Sequence, residues 1–459
     1  MVLLPFNPFS EPLSELETVN LGVLCQVAEG WHVEYKRQVP VIRSVAKSLS
    51  AFANHYGGWL FYGVEEDRDT RVARSFPGVP ISDLPSLEQT IRNAAAHHVH
   101  PPPHFDHRVL RGPCEQLGLS NDRAVIVIKI PYGPNAPYVH GSGVIYRRVA
   151  DESDPKRETD RAVLDLLWER GRRDRSKLAD FLMRVPRRSK GEENNSFVHL
   201  FLMGDPLGER GYRSQLTFSR FVELMKDSSD QSGWLPFDNI FTMAEGFIAR
   251  QVSTNDPYNL VLTWRYYDDC SSVVTIPLSG AQISHLQSFL NGYERTGNLL
   301  IACRRQKLEA GWVLDLNILF HLLSSIICKH RLLQAEDGNK GTFYAKASLD
   351  NIWRRIPFLD TPGYAKFLSQ CNIPVVQDET SLAPPGTDLE SLVELSWREY
   401  SSDGNDDLVW RLKSAFLIFT NIVVALGLPG LVFFESDSLG ELLNLLQRAL
   451  EVQKRRSTS

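Results

Sequence analysis

The stretch "VIRSVAKSLSAFANHYGGWLFYGVEED", residues 41–67, predicts a helix followed by a strand. Apolar residues recur in its first half at intervals of three and four, which is typical of a helix with one buried face. Gly57 and Gly58 are expected to end this helix. The apolar run 59–64 then predicts a short buried strand, and three acids follow it directly. The members of the helical face are Ile42, Val45, Leu49, Phe52 and Ala53, and the acids are Glu65, Glu66 and Asp67.

The preceding stretch "AEGWHVEYKRQ", residues 28–38, alternates apolar and polar side chains, which predicts a half-buried strand. It carries two acids, Glu29 and Glu34, followed at once by Lys36 and Arg37. Carboxylates beside cations in a strand form either an exposed, salt-bridged edge or part of a metal site, and spacing alone favours the exposed edge. The order strand, helix, strand brings these acids toward the acids at 65–67.

Further elements follow the same pattern along the chain. We predict a helix over 84–98, strands over 123–133 and 143–151, and a helix over 158–184 that is interrupted near Gly171. The charged stretch 185–196 is typical of a linker. The C-terminal half alternates helical segments, such as 288–300 and 316–333, with strand segments, such as 259–267 and 271–279. The chain is therefore predicted to be of the α+β class.

Length and composition indicate a soluble globular protein of two or three domains, since 43% of its 459 residues are hydrophobic. The first residues lack a secretory signal pattern, and the six cysteines form no C-x-x-C pair, so we expect a cytoplasmic location. Residues 414–434 have about the length of a membrane span, but Asn421 and Pro429 interrupt them. We therefore predict a buried helix, a turn and a buried strand there, and no membrane association.

The net charge of −5 is unevenly distributed. Residues 21–190 carry a balance of +6, whereas residues 191–459 carry −8. A basic surface that binds polyanions is therefore expected on the N-terminal half. Five arginines are the predicted nucleic-acid contacts, with a solvated helix face as the alternative for those on the helix: Arg37, Arg147, Arg148, Arg172 and Arg173.

Several ordered motifs resemble the divergent AlbA-like domain of the Schlafen family and its prokaryotic relatives. The motifs are "EGWHVEYK", "SLSAFANHYGG", "WLFYGVEED" and the closing segment "AVIVIKIPYGPNAPYVHGSGVIYRRVADESDP". The resemblance covers about residues 20–160 and implies a mixed sheet with helices, followed by a second α/β or α+β domain. The predicted divisions are an N-terminal segment (1–20), the AlbA-like domain (21–157), a helical connector with a charged linker (158–195) and a C-terminal part of unknown role (196–459).

The resemblance implies a nuclease site, because nuclease members of the family use two glutamates of the first motif and an acid after the Gly-Val strand. Here these are Glu29, Glu34 and either Glu65 or Glu66, with Lys36 beside them as a further catalytic residue; Asp67 is a third option for the last acid. The implied metal ligands are Glu29, Glu34 and Glu66, and the implied cofactor is Mg²⁺ or Mn²⁺, which prefer oxygen ligands. The implied substrate is structured RNA, tRNA or rRNA in particular.

Two other functions remain open at this stage. The domain could be a non-catalytic nucleic-acid-binding module or, less favoured because no Walker motif is present, an ATP-binding regulator. The histidine-rich segment "HHVHPPPHFDH", residues 97–107, has no recognised ligand spacing for zinc and is interpreted as a polar loop. The C-terminal half could mediate a homodimer or bind a protein partner.

Overall fold

The computed structural model describes residues 6–9, 13–133, 135–149, 154–206, 212–229, 235–252, 258–339, 342–395, 407–430 and 439–458. The chain divides into two compact units. Unit 1 ends at Lys177, and unit 2 begins at Leu178 and contains the remaining described residues. The division lies inside a helix, within the segment predicted as the connector, and upstream of the charged stretch 185–196.

The elements of unit 1 lie close to their predicted positions. Its helices are α1 (Ile42–Asn54), α2 (Leu84–His98) and α3 (Arg161–Leu182), with 3-10 turns at Leu13–Glu15, Thr18–Gln26, Ile81–Asp83 and Glu115–Leu117. Its strands are β1 (Val33–Lys36), β2 (Gly58–Tyr62), β3 (Glu65–Glu66), β4 (Ala73–Ser75), β5 (Val79–Pro80), β6 (Val99–His100), β7 (Asp106–Arg111), β8 (Arg123–Ile130), β9 (Val139–His140), β10 (Tyr146–Arg147) and β11 (Lys156–Arg157).

The main sheet of unit 1 has the order β1-β2-β8-β5, and β7 also pairs with β8. Strands β1 and β2 are parallel, joined through α1, whereas β2 and β8 are antiparallel. The sheet is therefore mixed, and the α+β class is confirmed. Short pairs β3-β4, β6-β9 and β10-β11 lie outside this sheet.

Both faces of this sheet are buried, as the apolar run in β2 predicts. Leu60 and Tyr62 pack with α1 and α2 on one face, whereas Trp59 and Phe61 pack with the 3-10 turns near the N-terminus on the other. Gly57 ends the turn after α1 with a φ of +74°, a conformation that strains any residue with a side chain. The prediction of a helix stop at this glycine is confirmed.

Two predictions for unit 1 were wrong in detail. Helix α3 continues through Gly171, because this glycine permits a close contact: a Cβ atom there would lie 1.9 Å from the Ala136 carbonyl oxygen. The strand expected over 143–151 is reduced to the two residues of β10, and residues 150 and 151 lie outside the described part.

Unit 2 contains the remaining elements, with further 3-10 turns at Lys190–Glu192, Ile283–His285 and Leu389–Ser391. Its helices are α4 (Phe218–Lys226), α5 (Leu286–Phe289), α6 (Thr296–Arg305), α7 (Leu316–Glu336), α8 (Pro362–Gln370), α9 (Asp407–Ala425) and α10 (Leu439–Thr458). Its strands are β12 (Ser196–Met203), β13 (Asn239–Met243), β14 (Gly246–Arg250), β15 (Thr263–Tyr267), β16 (Ser272–Leu278), β17 (Gly280–Gln282), β18 (Trp312–Asp315), β19 (Phe343–Asp350), β20 (Arg355–Phe358), β21 (Thr380–Ala383) and β22 (Val393–Leu395).

The larger sheet of unit 2 is antiparallel, with the order β13-β14-β15-β16-β12-β19-β21, and β22 pairs with β19. A smaller sheet has the order β17-β18-β20, in which β18 and β20 are parallel. Helix α7 lies in the main core and is buried nearly all round, as its long apolar pattern predicts. The helix expected over 288–300 is divided into α5 and α6 by a turn at Gly292, which has a φ of +104°.

Among the described residues, two helices have the length and apolar composition of a membrane span, Leu316–Glu336 and Leu408–Ala425. The apolar window of the first is 78% buried within the protein and that of the second 44%, so composition alone gives weak evidence for a membrane. Helix α9 agrees with the helix predicted at 414 and beyond, and Gly427 follows it with a positive φ. The strand predicted after the turn falls on residues 431–434, which lie outside the described part.

Candidate active site of unit 1

The two glutamates of the first motif lie at the edge of the main sheet. Glu34 is on β1, where it is paired with Leu60 of the parallel strand β2. Val33 and Tyr35 point to the opposite face, so Glu34 lies beneath α1. Glu29 precedes the strand, and its backbone N–H donates to the Arg71 carbonyl at 2.8 Å. Both glutamates are buried, with exposed fractions of 3% and 1%.

The carboxylate of Glu34 is fully engaged by its neighbours. Its Oε2 accepts a hydrogen bond from Nη1 of Arg148 at 2.9 Å, and its Oε1 accepts one from the Ser48 hydroxyl at 2.9 Å. Nζ of Lys36 lies 3.4 Å from Oε1. Burial of a carboxylate is tolerated when cations and donors surround it in this way.

Glu29 differs from Glu34, because neither of its side-chain oxygens has a hydrogen-bond partner among the described residues. Lys36 is its nearest cation, with Nζ 3.7 Å from Oε1. Burial raises the pKa of Glu29 to about 9, and the adjacent carboxyl of Glu66 raises it further, although Lys36 opposes the shift. Glu29 is therefore protonated at neutral pH unless a cation binds beside it.

Lys36 connects the two glutamates and remains accessible, since its side chain is 32% exposed. Burial lowers its pKa, but the charges of Glu34 and Glu29 outweigh that effect and raise the pKa above its usual value. Asp154 adds to this increase from the segment that closes unit 1. Lys36 therefore carries a positive charge at neutral pH, on the solvent-accessible side of an otherwise acidic site.

The three acids after the Gly-Val strand have different environments. Glu65 accepts a hydrogen bond from the Ser75 hydroxyl at 3.1 Å and lies 3.6 Å from Nη1 of Arg37. Asp67 accepts hydrogen bonds from the backbone and hydroxyl of Thr70, which lower its pKa and fix a turn. Glu66 is the acid that interacts with Glu29. Of the three options, Glu66 is therefore the one brought to the site.

Four of the five predicted nucleic-acid contacts reach the surface, and Arg148 does not. Arg37 has a 65% exposed side chain, and Arg147 is 26% exposed and bonded to Glu158. Arg172 and Arg173 lie on the exposed face of α3. Arg148 is fully buried.

Arg148 cannot contact a phosphate from this position. Its guanidinium also donates to the Gly30 carbonyl, at 3.1 Å from Nε, and stacks 4.9 Å from the Phe52 ring centroid. The expectation that Arg148 binds RNA was therefore wrong, because the Arg148 guanidinium is buried and paired with the Glu34 carboxylate.

The histidine-rich segment does not converge on one point. His97 and His98 end α2, and His107 on β7 lies 3.4 Å from Glu88. His104 lies 3.5 Å from Asp106. Within the described ranges, no group of three or more histidine, cysteine, aspartate or glutamate residues is arranged to hold a metal ion.

Sequence reasoning missed two residues of the site. Ser48 lies on the buried face of α1, three residues after Val45, and a hydroxyl on such a face is a signal for a buried polar partner. Asp154 belongs to the quoted closing segment, but nothing in its spacing relates it to Lys36.

Comparison with known families agrees with this geometry, since residues 29–157 match the family model described as Schlafen, AlbA_2. Residues 29–157 form a Schlafen AlbA_2 domain. The matched range begins at Glu29 and contains the other site residues, and such a domain indicates a nucleic-acid-related function.

Two solved structures are similar to part of the chain. The N-terminal domain of a RecG-related protein from Nitrosomonas europaea is 22% identical, with a match covering 31% of this chain and 92% of that one, at a TM-score of 0.23. The DIP2311 protein from Corynebacterium diphtheriae is 21% identical, with coverage of 31% and 27% and a TM-score of 0.20. No curated protein matches the chain.

Proposed function

We propose that the Schlafen AlbA_2 domain is a divalent-metal-dependent endoribonuclease that cleaves structured RNA, tRNA or rRNA in particular. The observation that carries this proposal is Glu29, a buried carboxyl group that accepts no hydrogen bond from a donor of the described residues and faces a second carboxyl group, Glu66. A buried polar group without a partner is costly, and such groups are found where a ligand completes them.

The residues present fit a small divalent cation that takes two carboxylates from the protein. Glu29 and Glu66 are available to it, whereas Glu34 is occupied by Arg148, Ser48 and Lys36. Mg²⁺ and Mn²⁺ are commonly bound through one or two carboxylates, with water and substrate phosphate as the other ligands. When bound, the ion supplies an activated water and stabilises charge on the leaving oxygen.

The residues of the chain have separate roles in this proposal. Glu29, in its deprotonated form, and Glu66 would provide the two carboxylates that hold the ion. Lys36 neutralises the scissile phosphate from the open side of the site. Glu34 is a positioning residue, because it holds Lys36 and fixes Arg148 under the Gly30 loop.

The test is cleavage of total tRNA, rRNA, single-stranded DNA and duplex DNA in Mn²⁺, Mg²⁺ or EDTA. We expect RNA fragments with either metal and none with EDTA. Glu29→Gln and Glu66→Gln should each reduce the rate at least 100-fold, the loss typical for a group that stabilises charge in the transition state. Glu65→Gln should reduce it less than threefold, since Glu65 interacts with Arg37 and Ser75.

The matched control is Glu88→Gln, on α2, which pairs with Arg92 and His107. Equal cleavage by wild type and Glu29→Gln would contradict the site. Fragments that survive EDTA would contradict the metal.

The second candidate function is nucleic-acid binding without cleavage. The full engagement of Glu34 by Arg148 and Ser48 favours it, because this acid then serves structure. It predicts salt-sensitive RNA binding, no fragments in any metal, and weaker binding after Arg37→Ala.

We further propose a cytoplasmic protein that does not act at a membrane and whose unit 2 contacts a second copy or a partner protein. The six cysteines are all free thiols, which supports a reducing compartment. Size-exclusion chromatography with light scattering tests the dimer.

A further inference from the structure

Five aromatic rings of unit 1 are connected by successive ring contacts, and we call this group the aromatic platform: Phe6, His32, Tyr56, His55 and Trp31. Phe6 stacks on His32 with centroids 5.1 Å apart, and His32 lies 6.3 Å from Tyr56. Tyr56 lies 4.2 Å from His55, which lies 4.7 Å from Trp31. Trp31 follows Gly30, whose carbonyl accepts from Arg148, and the same guanidinium donates to Glu34 of the acidic site.

Three members of the platform are exposed although large aromatic rings usually bury most of their surface. The exposed fractions are 38% for Phe6, 40% for Trp31 and 46% for Tyr56. His55 is only 5% exposed, and its Nε2 has no hydrogen-bond partner among the described residues. The platform therefore combines three partly exposed rings with a buried histidine whose Nε2 has no hydrogen-bond partner among the described residues.

The backbone beneath the platform is fixed from several sides. The Gly30 carbonyl accepts from Arg148, and the His32 carbonyl accepts from the Trp59 N–H at 2.7 Å. The His55 carbonyl accepts from Arg170 at 3.1 Å. Rings held in place before binding lose little conformational entropy when a planar ligand stacks on them.

Three arginines act on His55, a member of the platform. Burial lowers the pKa of His55 to about 3, and the positive charges of Arg147, Arg170 and Arg148 lower it as well. His55 is thus an uncharged flat ring at neutral pH with arginines nearby, of which Arg148 is paired with Glu34 and Arg147 with Glu158.

A ligand with accessible planar groups matches the partly exposed rings of the platform. We propose that the aromatic platform stacks unpaired bases of RNA and so selects single-stranded segments, such as loops and ends, for the carboxylate site of the same unit. This inference rests on the proposed function of unit 1. Base stacking on protein aromatics is sequence-tolerant and is worth about 1–3 kcal/mol per base, or roughly 5- to 150-fold in affinity.

The test uses three fluorescent 12-unit probes in EDTA: oligouridine, a ribose-phosphate strand without bases, and duplex RNA. Affinities for wild type, Trp31→Ala, Tyr56→Ala and Trp31→Phe are measured by anisotropy at one salt concentration. The control is Trp168→Ala, since Trp168 is 49% exposed in the same unit but is not part of the platform. Circular dichroism and thermal unfolding verify that each variant folds.

Wild type should bind oligouridine at least fivefold more tightly than the strand without bases. Trp31→Ala and Tyr56→Ala should each reduce this preference at least fivefold, while their affinity for the duplex changes less than twofold. Trp31→Phe should retain most of the preference, which a merely structural role would not require.

Equal loss for all three probes, or no loss, would overturn the inference and leave the proposed function standing. Binding of none of the probes by wild type would overturn the platform, whereas the proposed function is contradicted only if tRNA and rRNA also remain uncleaved in Mn²⁺ and Mg²⁺. Cleavage that depends on Glu29 together with no preference for bases would contradict the platform alone.

Discussion

Two buried carboxylates, Asp315 in unit 2 and Glu29 in unit 1, have different environments. Asp315 in unit 2 is 1% exposed, and its Oδ1 accepts from the backbone and side-chain amides of Asn317. Its Oδ2 accepts from the Tyr293 hydroxyl at 3.0 Å and from Nη2 of Arg456 at 2.9 Å. Glu29 in unit 1 is equally buried, yet its oxygens have no such donors among the described residues.

The difference separates carboxylates whose charge is compensated within the fold from the one that we propose binds a cation. Asp315 begins α7 and links it to α10 through Arg456, so its negative charge is compensated within the fold. Glu34 belongs to the same class as Asp315, because Arg148 compensates it. The negative charge of Glu29 would be compensated to the same degree by a bound proton or a bound cation, since Lys36 is 3.7 Å away and forms no hydrogen bond with it.

The largest expected effect on the free energy of unfolding is for Asp315, a carboxylate whose charge is compensated within the fold. Asp315→Ala leaves Arg456 and Tyr293 without their partner, and loss of one member of a buried pair typically costs roughly 3–5 kcal/mol. We expect the free energy of unfolding of unit 2 to fall by that amount, measured by hydrogen exchange in α7. A loss below about 1 kcal/mol would place Asp315 outside this class.

A smaller effect of opposite sign is expected at Glu29. Its pKa is about 9 in the fold against 4.5 for an ordinary glutamate, so the unfolded chain releases this proton at lower pH. Without metal, the contribution of Glu29 to the free energy of unfolding should therefore decrease as the pH rises from about 4.5 to about 9. Glu29→Gln should abolish that decrease.

Hydrogen exchange of β1 and β2 in EDTA at pH 5 and pH 7 measures this effect. We expect Glu29→Gln to stabilise unit 1 by about 2–3 kcal/mol at pH 7 and by little at pH 5. Destabilisation by the same substitution at pH 7 would show that Glu29 is compensated as Asp315 is.

The Ser48 hydroxyl contributes one hydrogen bond to Glu34, so its removal should have a moderate effect. We expect Ser48→Ala to lower the free energy of unfolding of unit 1 by about 1 kcal/mol. Ser50→Ala is the matched control, because Ser50 lies on the same helix and its hydroxyl donates to the Lys47 carbonyl of that helix. Among the described residues it has no bond to a carboxylate. Equal effects of both substitutions would argue against a specific role of Ser48.

The smallest effect on stability is expected for the exposed pair of Arg37 and Glu65. Exposed ion pairs contribute about 0–1 kcal/mol, so Arg37→Ala should leave unfolding nearly unchanged. The RNA affinity of the Arg37→Ala variant should fall two- to fivefold, and the magnitude of the slope of log affinity against log salt concentration should decrease by about 1. An unchanged slope would show that Arg37 does not contact an RNA phosphate.

Periodicity predicted the parts of the site that lie on regular elements. The alternation before Lys36 and the helical spacing from Ile42 to Phe52 were sufficient for β1, α1 and the burial of β2. The family resemblance related the first glutamates to the acids after Val64. Which of these acids lies at the site depends on the bulge between Glu65 and Glu66, which no local pattern predicts.

Two other predictions were wrong because the same residue type can have different roles: an arginine can bind RNA or pair with a buried acid, and a glycine can end a helix or permit a close contact. Arg147 and Arg148 are adjacent on a short strand and its exit, and the sequence does not reveal which one pairs with the distant Glu34. Gly171 was interpreted as a helix break, although its role is the close approach of α3 to Ala136. Both distinctions depend on contacts between residues far apart in the chain.

Binding of Mn²⁺ to the free protein tests the cation site most directly. Calorimetric titration at pH 7 and pH 8 should give one ion per chain for wild type, bound about tenfold more tightly at pH 8 because one proton is displaced from Glu29. Glu29→Gln should bind no ion at this site, and Glu88→Gln should bind as wild type does. Equal stoichiometry and affinity for wild type and Glu29→Gln would contradict the account.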